Sequence, residues 1–514
     1  EKAPLGFATV ELTDLQDFDF LFPTLQRNPD NLLPEARETR DNLVRLGQTM
    51  RDSNPADPSG NSRIPALFTY FGQFVDHDIT LEAVSAALDT LLDPNLVPTS
   101  LADIRTNLRN ARTATLDLDS VYGAPAPRDP AQPRKLLLGT VTPLGSDVLP
   151  FTRPAGKDDR NDLPREPRSD DRFHDRAALT GDPRNDENTI ISQLHVAFLR
   201  AHNTLIDQGH SFRRARRILR QHYQHIVLHD FLKNIADPQI VDDILRTGTQ
   251  FYDALRDPFF MPLEFSVAGF RFGHSMVRGA YDFNVNFKVS VSGETRPATL
   301  GQLFTFSALS GQLGFGPGTD TLPDNWIIEW ENFVDTSTGI NLARRIDTQL
   351  VEPLFQLRDE LGQQLPGDGA RLAVRNLLRG YLLRMPTGQA VAREMQEQLS
   401  GVREIPVLTP AQIEAAAANP EQAQVLRDGG FLERTPLWFY ILAEAAALAD
   451  GNHLGPVGST LVAEVLVGLV GRSKDSILQA RNWSPTLPSA EQGTFTLADL
   501  LAFAGVLQET APVA

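Results

Sequence analysis

Residues 70–78, YFGQFVDHD, place Gln73, Asp76, His77 and Asp78 inside a run that also carries Phe71, Phe74 and Val75. On a helix, Gln73 lies three and four positions before Asp76 and His77, so these three share one face. Asp78 is turned about 100° from His77 and faces elsewhere. A histidine with an ordinary pKa of about 6.5 can move protons at neutral pH. A lone carboxylate facing away suits a different task. By itself, a His flanked by two Asp is more often an ion-paired surface feature.

Four further clusters have comparable potential. Thr113–Gly123, TATLDLDSVYG, alternates Thr113, Thr115, Asp117 and Asp119 with small or apolar residues. An extended or looped segment of this kind can offer several hard oxygens to calcium, although the spacing is not that of an EF-hand. Its plain alternative is a polar strand or acidic turn. Gly181–Asn188, GDPRNDEN, precedes a long helical pattern and sets Arg184 three residues before Glu187, one turn apart on a helix. Acidic residues are ordinary at a helix start; a cation there is not. In Phe270–His274, FRFGH, Arg271 and His274 are again three apart, and Gly273 leaves room for something bulky to approach the backbone. In Arg375–Gly380, RNLLRG, the same spacing separates Asn376 from Arg379. A packed core histidine and an amphipathic helix would account for these last two.

The elements that must position these groups read mostly as helices. Apolar residues recur at helical spacing over 189–208, 212–232, 372–384, 410–427, 436–449 and 459–470. Strand-like alternation is scarce, and FNVNFKVSV at 283–291 is its best instance. Residues 142–168 and 311–324, rich in Gly and Pro, read as long loops, and the acidic stretch 158–171 as solvated surface. The expectation is a mainly α fold with little β structure. An N-terminal extension, 1–60, would pack on one large domain, 61–514.

The chain has 514 residues and a net charge of −17, from 48 Lys+Arg against 65 Asp+Glu, which argues against a general nucleic-acid binder. With no cysteine, disulfides, thiolate metal sites and Cys nucleophiles are excluded. No apolar run approaches the roughly 20 residues of a membrane helix. The sequence starts at Glu1 rather than Met, so a removed leader stays open, and a secreted or cell-envelope location is favoured over a cytoplasmic one.

Taken in order, Gln–x–x–Asp–His–Asp, the Thr/Asp segment ending in VYG, Gly–Asp–x–Arg–x–x–Glu, Arg–x–Gly–His and Asn–x–x–Arg resemble the animal-type haem peroxidases. These belong to the peroxidase–cyclooxygenase superfamily that includes myeloperoxidase and lactoperoxidase. The resemblance runs from about residue 70 to 385. It implies a single large helical haem-peroxidase domain that reduces hydrogen peroxide and oxidises halides or small phenolic donors through a ferryl intermediate. His77 matches the distal histidine above a b-type haem, Gln73 the residue beside distal waters or halide, and Arg184 the distal arginine. His274 matches the proximal iron ligand and Asn376 the acceptor of its N–H. Arg271 and Arg379 match the partners of the haem propionates. Asp76 and Glu187 match carboxylates that form ester bonds to haem methyl groups in mammalian members. The Met that makes a third link in myeloperoxidase-type enzymes is here Asn188. Asp78, Thr113, Thr115, Asp117 and Asp119 match the calcium ligands, with Asp119 where many relatives have Ser. The lack of cysteine suggests a bacterial member.

Two rivals stand beside this. Fatty-acid dioxygenases and cyclooxygenases of the same superfamily use a tyrosyl radical three residues before the proximal His, where this chain has Arg271. A non-haem metal-binding helical protein would use His222, His225 and His229, at i, i+3 and i+7. The Glu that a zinc helix places after the first His of an i, i+4 pair is Ile226 here, so packed or surface histidines explain the trio better.

Overall fold

The structure is a computed structural model that describes residues 15–83, 88–124, 126–144, 152–171, 174–289, 295–305, 320–334, 339–357 and 364–507. Helices dominate it, and those that carry the argument are α1 (Arg37–Thr49), α2 (Leu67–Ile79), α3 (Thr189–Asp207), α4 (Phe212–Ile226), α5 (Gly273–Met276), α6 (Leu372–Leu382), α7 (Leu437–Ala449) and α8 (Pro456–Arg472). The fold is mainly α, as the sequence indicates.

The aromatic residues of α2 form one wall of the core. Phe74 stacks on Phe198 of α3 at 4.7 Å, and Tyr223 of α4 meets both rings edge-on. Phe71 meets Phe231 at 5.5 Å. Phe71, Phe74, Phe198 and Tyr223 are all fully buried. Burial of each such ring contributes about 2–3 kcal/mol. α2 is therefore held by its apolar side, which fixes where its polar side points. Gly72 lets Phe231 close in, because a Cβ there would sit 3.1 Å from the ring.

Described sheet structure is slight. Gln16–Asp19 is the middle of three short strands, antiparallel to Arg109–Asn110 and parallel to Phe260–Pro262. Asn61–Pro65 pairs antiparallel with Leu342–Arg344, and Ala280–Tyr281 with Ala298–Thr299. The described N-terminal residues are tied in deeply. Glu264, wholly buried, accepts from Leu21 N at 2.7 Å and Phe22 N at 3.1 Å, and α1 packs along α6. Glu444 of α7 likewise receives the first free N–H groups of α8, from Val457 and Gly458. Desolvation raises both carboxyls, Glu264 to about 7 and Glu444 to about 8.

Three expectations need correction or limits. Residues 283–289 form a tight turn rather than a strand, with Phe283 N donating to Phe287 O at 2.7 Å. The Asn284 carboxamide captures Asn286 N and donates to Asn325 O and Ile327 O, a local alternative to a ladder. The helix expected over 410–427 is two, Pro410–Ala415 and Pro420–Asp428, because Asn419 caps the second and Pro420 starts it. The pattern over 212–232 is helical throughout, but passes from α4 through a π-helical turn, Val227–Phe231, into Leu232–Ile235. Residues 145–151, 290–291 and 311–319 of the expected loops and strand lie outside the described residues.

Candidate active site

α2 presents Gln73, Asp76 and His77 to one side, and the segment 182–188 closes on them from above α3. Asp182 caps the 3₁₀ turn Pro183–Asp186 by accepting from Arg184 N. The same carboxylate holds the Arg184 side chain, from Nε at 3.0 Å and Nη2 at 2.8 Å. Nη2 also donates to Thr80 O at 2.7 Å and His77 O at 3.3 Å, the end of α2. Nη1 stands 4.0 Å from Asp76 Oδ2. Arg184 holds the Asp182 carboxyl below the usual carboxylate range despite its burial. This is how a cation sits at a helix start: its carboxylate is built in beside it.

The ring of His77 is buried, and its Nδ1 lies 2.8 Å from Asn185 Oδ1. A carboxamide oxygen only accepts, so the proton is on Nδ1 and Nε2 keeps its lone pair. Burial, and next Arg184, push the His77 pKa down to about 4, so the ring is neutral at pH 7. Asn185 Nδ2 in turn stands 2.9 Å from Nδ1 of His195, another buried ring. Gln73 Nε2 donates to Glu187 Oε2 at 2.5 Å, and Gln73 Oε1 accepts from Asn188 Nδ2 at 3.2 Å. Asn188 Oδ1 meanwhile caps α3 at Ile191 N. Burial raises the Glu187 carboxyl above its usual pKa, opposed by Arg184 and Gln73. Asp76 accepts from Thr80 Oγ1 at 2.6 Å.

On the other side, His274 lies on the single turn α5 and meets Asn376 of α6 at 2.8 Å. The contact departs from the sequence expectation, since Asn376 Nδ2 rather than Oδ1 faces Nδ1 of the ring. Nδ1 then accepts and the proton sits on Nε2. Half a turn of the amide exchanges the two groups and frees Nε2 for a metal. Burial, then Arg271 and Arg375, lower the His274 pKa to about 3. Arg271 donates from Nε to Ser266 O at 3.0 Å, and its terminal nitrogens meet no acceptor among the described residues. Arg375 is lowered by burial and by Arg271. Arg379, read as a propionate partner, is here ion-paired with Glu82. The charges of the two sides sense one another: Asp76 and Arg184 of the distal side both act on Arg271.

These residues fit a haem. His274 and Arg271 keep accessible surface despite their interior position, and a Cβ placed on Gly273 would meet nothing within 4 Å. A neutral imidazole lies there with Arg271 and Arg375, neither of which forms a carboxylate ion pair among the described residues, although Asp76 and Glu82 act on Arg271 through space. An anionic, planar iron chelate answers both needs.

Asp78 points away from the pocket and is wholly buried. It accepts from Leu118 N at 3.1 Å and Ser120 N at 3.3 Å. The alternating segment wraps round it through left-handed residues Ala114 and Leu118. Ala114, Leu116 and Leu118 enter the core, while Thr113 bonds Asp119 and Thr115 bonds Asp117 at 2.8 Å. Burial, then Asp119, raise the Asp78 carboxyl to about 7. Asp117 Oδ1 and Ser120 Oγ are buried without a partner. The donor set therefore suits a cation, although no group of three or more His, Asp or Glu among the described residues stands ready-made for a metal.

The three histidines of the rival reading are engaged in packing. His222 is fully engaged, its Nδ1 bonding Ile218 O at 2.7 Å and its Nε2 accepting from Thr486 N and Leu487 N. His225 and His229 stack at 4.5 Å beside Trp483. The trio packs a helix rather than holding a metal.

Asp182, Asn185, His195, Arg375 and the Gln73 contact of Asn188 were not evident from the sequence. All but His195 lie within the clusters named above, and nothing in their spacing marks their partners, more than 100 residues away in the cases of Asn185 and Asn188.

Fold and site together define a helical protein of the haem-peroxidase type. The Animal haem peroxidase family model matches residues 98–308, which span the Thr/Asp, Arg184 and His274 clusters. A Peroxidase-like protein of Margaritifera margaritifera is 27% identical over 293 residues, 49% of this chain and 35% of that protein. A Chorion peroxidase of Aedes aegypti is 30% identical over 118 residues, 20% of this chain and 15% of that one. The chain thus spans about a third or less of these curated relatives. Peroxidase A from Dictyostelium discoideum superposes with a TM-score of 0.55 at 17% identity, covering 91% of this chain and 89% of that one. A fatty acid alpha-dioxygenase of Oryza sativa gives 0.51 at 14%, covering 84% and 73%. Residues 98–308 thus resemble the animal haem peroxidase family, and the fold is similar to that of Peroxidase A.

Proposed function

We propose that this chain is a haem peroxidase that takes hydrogen peroxide and a small donor, a halide or phenol, as substrates. The observation that carries the reading is the contact of His77 Nδ1 with Asn185 Oδ1 at 2.8 Å, which favours a free Nε2, beside a clamped Arg184. Haem b, held by His274 and by Arg271 and Arg375 at its carboxylates, would supply the redox chemistry. His77 Nε2 takes a proton from the incoming peroxide and returns it to the outer oxygen, so that water leaves. Its low pKa keeps it in the basic form at neutral pH. Arg184, fixed by Asp182, offers a permanent positive charge to the oxygen that gains negative charge. Gln73 is held at both ends of its amide and lines the pocket beside Glu187. Asp76 and Glu187 are the candidates for ester links to the haem edge, and Asp78, Thr113, Thr115, Asp117 and Asp119 for calcium.

The fatty-acid dioxygenase reading has the shared fold in its favour. Against it, Arg271 and Phe272 occupy the stretch where those enzymes carry the radical tyrosine. An absorption spectrum after haem reconstitution tests the main proposal: a Soret band near 400 nm and its rapid change with peroxide support it. No band, or a band indifferent to peroxide with unchanged fold, overturns it. Haem that leaves freely in acid–acetone would rule out the ester links.

A further inference from the structure

We infer that Asn185 is a positioning residue that sets which nitrogen of His77 carries the proton, and that it ties this choice to the tautomer of His195. The inference deepens the proposed reading, because a distal base works only with its lone pair toward the pocket. Three buried groups form one line: His77 Nδ1, 2.8 Å from Asn185 Oδ1, and Asn185 Nδ2, 2.9 Å from His195 Nδ1. Asn185 is fully buried, with His195 at 1% and His77 at 4% exposure, so water does not compete for these atoms.

A carboxamide has two unlike ends, and this asymmetry is what transmits the choice. With Oδ1 on His77, His77 is the Nδ1–H tautomer and Nε2 is the base. Nδ2 then must donate, so His195 Nδ1 must be bare and His195 carries its proton on Nε2. Turning the amide over reverses both rings at once: His77 would protonate Nε2, blocking the base, and His195 would protonate Nδ1. A mixed state would set two donors or two acceptors face to face in a dry interior, at a cost of about 1–3 kcal/mol. The two tautomers are therefore locked to opposite values. Both rings lie in a dry interior, which disfavours a second proton on either. The chain Phe74–His195, rings 6.2 Å apart, also ties the far ring to the wall that mounts α2.

Long-range ¹H–¹⁵N correlation on the full chain, ¹⁵N-labelled at histidine, reads both tautomers without haem. His77→Phe and His195→Phe, each losing one ring's signals, assign them. The expected result at pH 7 is Nδ1–H for His77 with Nε2–H for His195. In Asn185→Leu, which keeps the volume and removes both ends, His77 should become a mixture of tautomers. In Asn185→Asp, whose carboxylate can only accept, His77 should stay Nδ1–H. In His195→Gln, whose amide oxygen can accept from Asn185 Nδ2, His77 should keep the wild-type tautomer. His77 found as Nε2–H, equal tautomers at the two rings, or an unchanged His77 in a folded Asn185→Leu protein would each overturn the inference. The nitrogen readout stands even if the chain proves inactive towards peroxide, so the two failures are distinguishable.

Discussion

The two sides of the pocket are built on opposite principles. On the distal side nearly every polar atom named above has its partner: Arg184 on Asp182 and the end of α2, His77 on Asn185, Gln73 on Glu187 and Asn188. On the proximal side His274 rides on one helical turn with one side-chain hydrogen bond, and burial, then Arg271, lower the pKa of Arg375. The first is complete in the protein alone. The second leaves Arg271 and Arg375 buried without a carboxylate hydrogen bond among the described residues, which an anionic ligand would relieve. A site that must aim a proton acceptor gains from a finished network; a site that must capture an anion gains from an unfinished one.

The strongest break of this contrast is His274→Ala. It should abolish retention of haem, read as loss of the Soret band after gel filtration; a retained band would place the ligand elsewhere. His77→Ala should leave haem bound and slow the peroxide reaction by about 10²–10⁴-fold in stopped flow. A rate within a few-fold of wild type would remove His77 from the chemistry. Arg271→Met carries the sharpest sign: it should weaken haem binding yet raise the melting temperature of the haem-free protein, since a desolvated guanidinium is removed. A fall in both would mean that Arg271 is simply structural.

pH gives a smaller, graded test. His77, His195 and His274 are held neutral at pKa values of about 4, 3 and 3, against 6.5 in the unfolded chain. Between these limits the unfolded state binds more protons, so their contribution is present above pH 6.5 and is lost as pH falls toward 4. The haem-free wild type should therefore melt with a steeper acid dependence than His195→Phe; equal slopes would deny that burial holds this ring neutral. Last, Asp78→Asn should raise the melting temperature of the calcium-depleted protein at pH 8 and remove any rise on adding calcium. A calcium-induced rise that survives in the variant would exclude Asp78 as a ligand.

Much of the geometry round α2 was legible because helical periodicity is local. Gln73, Asp76 and His77 do share a side, and Asp78 does diverge to a second, buried environment. What the spacing could not carry is pairing across long separations. Asn185 looked like filler between Arg184 and Glu187, yet its partners are His77 and His195. Arg379 was expected at a haem propionate, and it is ion-paired with Glu82. The turn at 283–289 misled for a local reason: apolar alternation predicts a strand only if the intervening polar residues leave the backbone alone, and Asn284 and Asn286 do not. The Asn419–Pro420 break at 410–427 was present in the letters and was outweighed by the apolar period.

Asn188 has a second use that constrains what the pocket can become. One end of its amide starts α3, and the other steadies Gln73. Changing it to Met, the residue that makes the third haem link in myeloperoxidase-type enzymes, would strip the cap from a 19-residue helix, a loss of about 1 kcal/mol, and release the Gln73 amide together. Pocket polarity and the nucleation of α3 are thus a single heritable trait at this position. A route to a sulfonium-linked descendant would first need another residue to begin that helix.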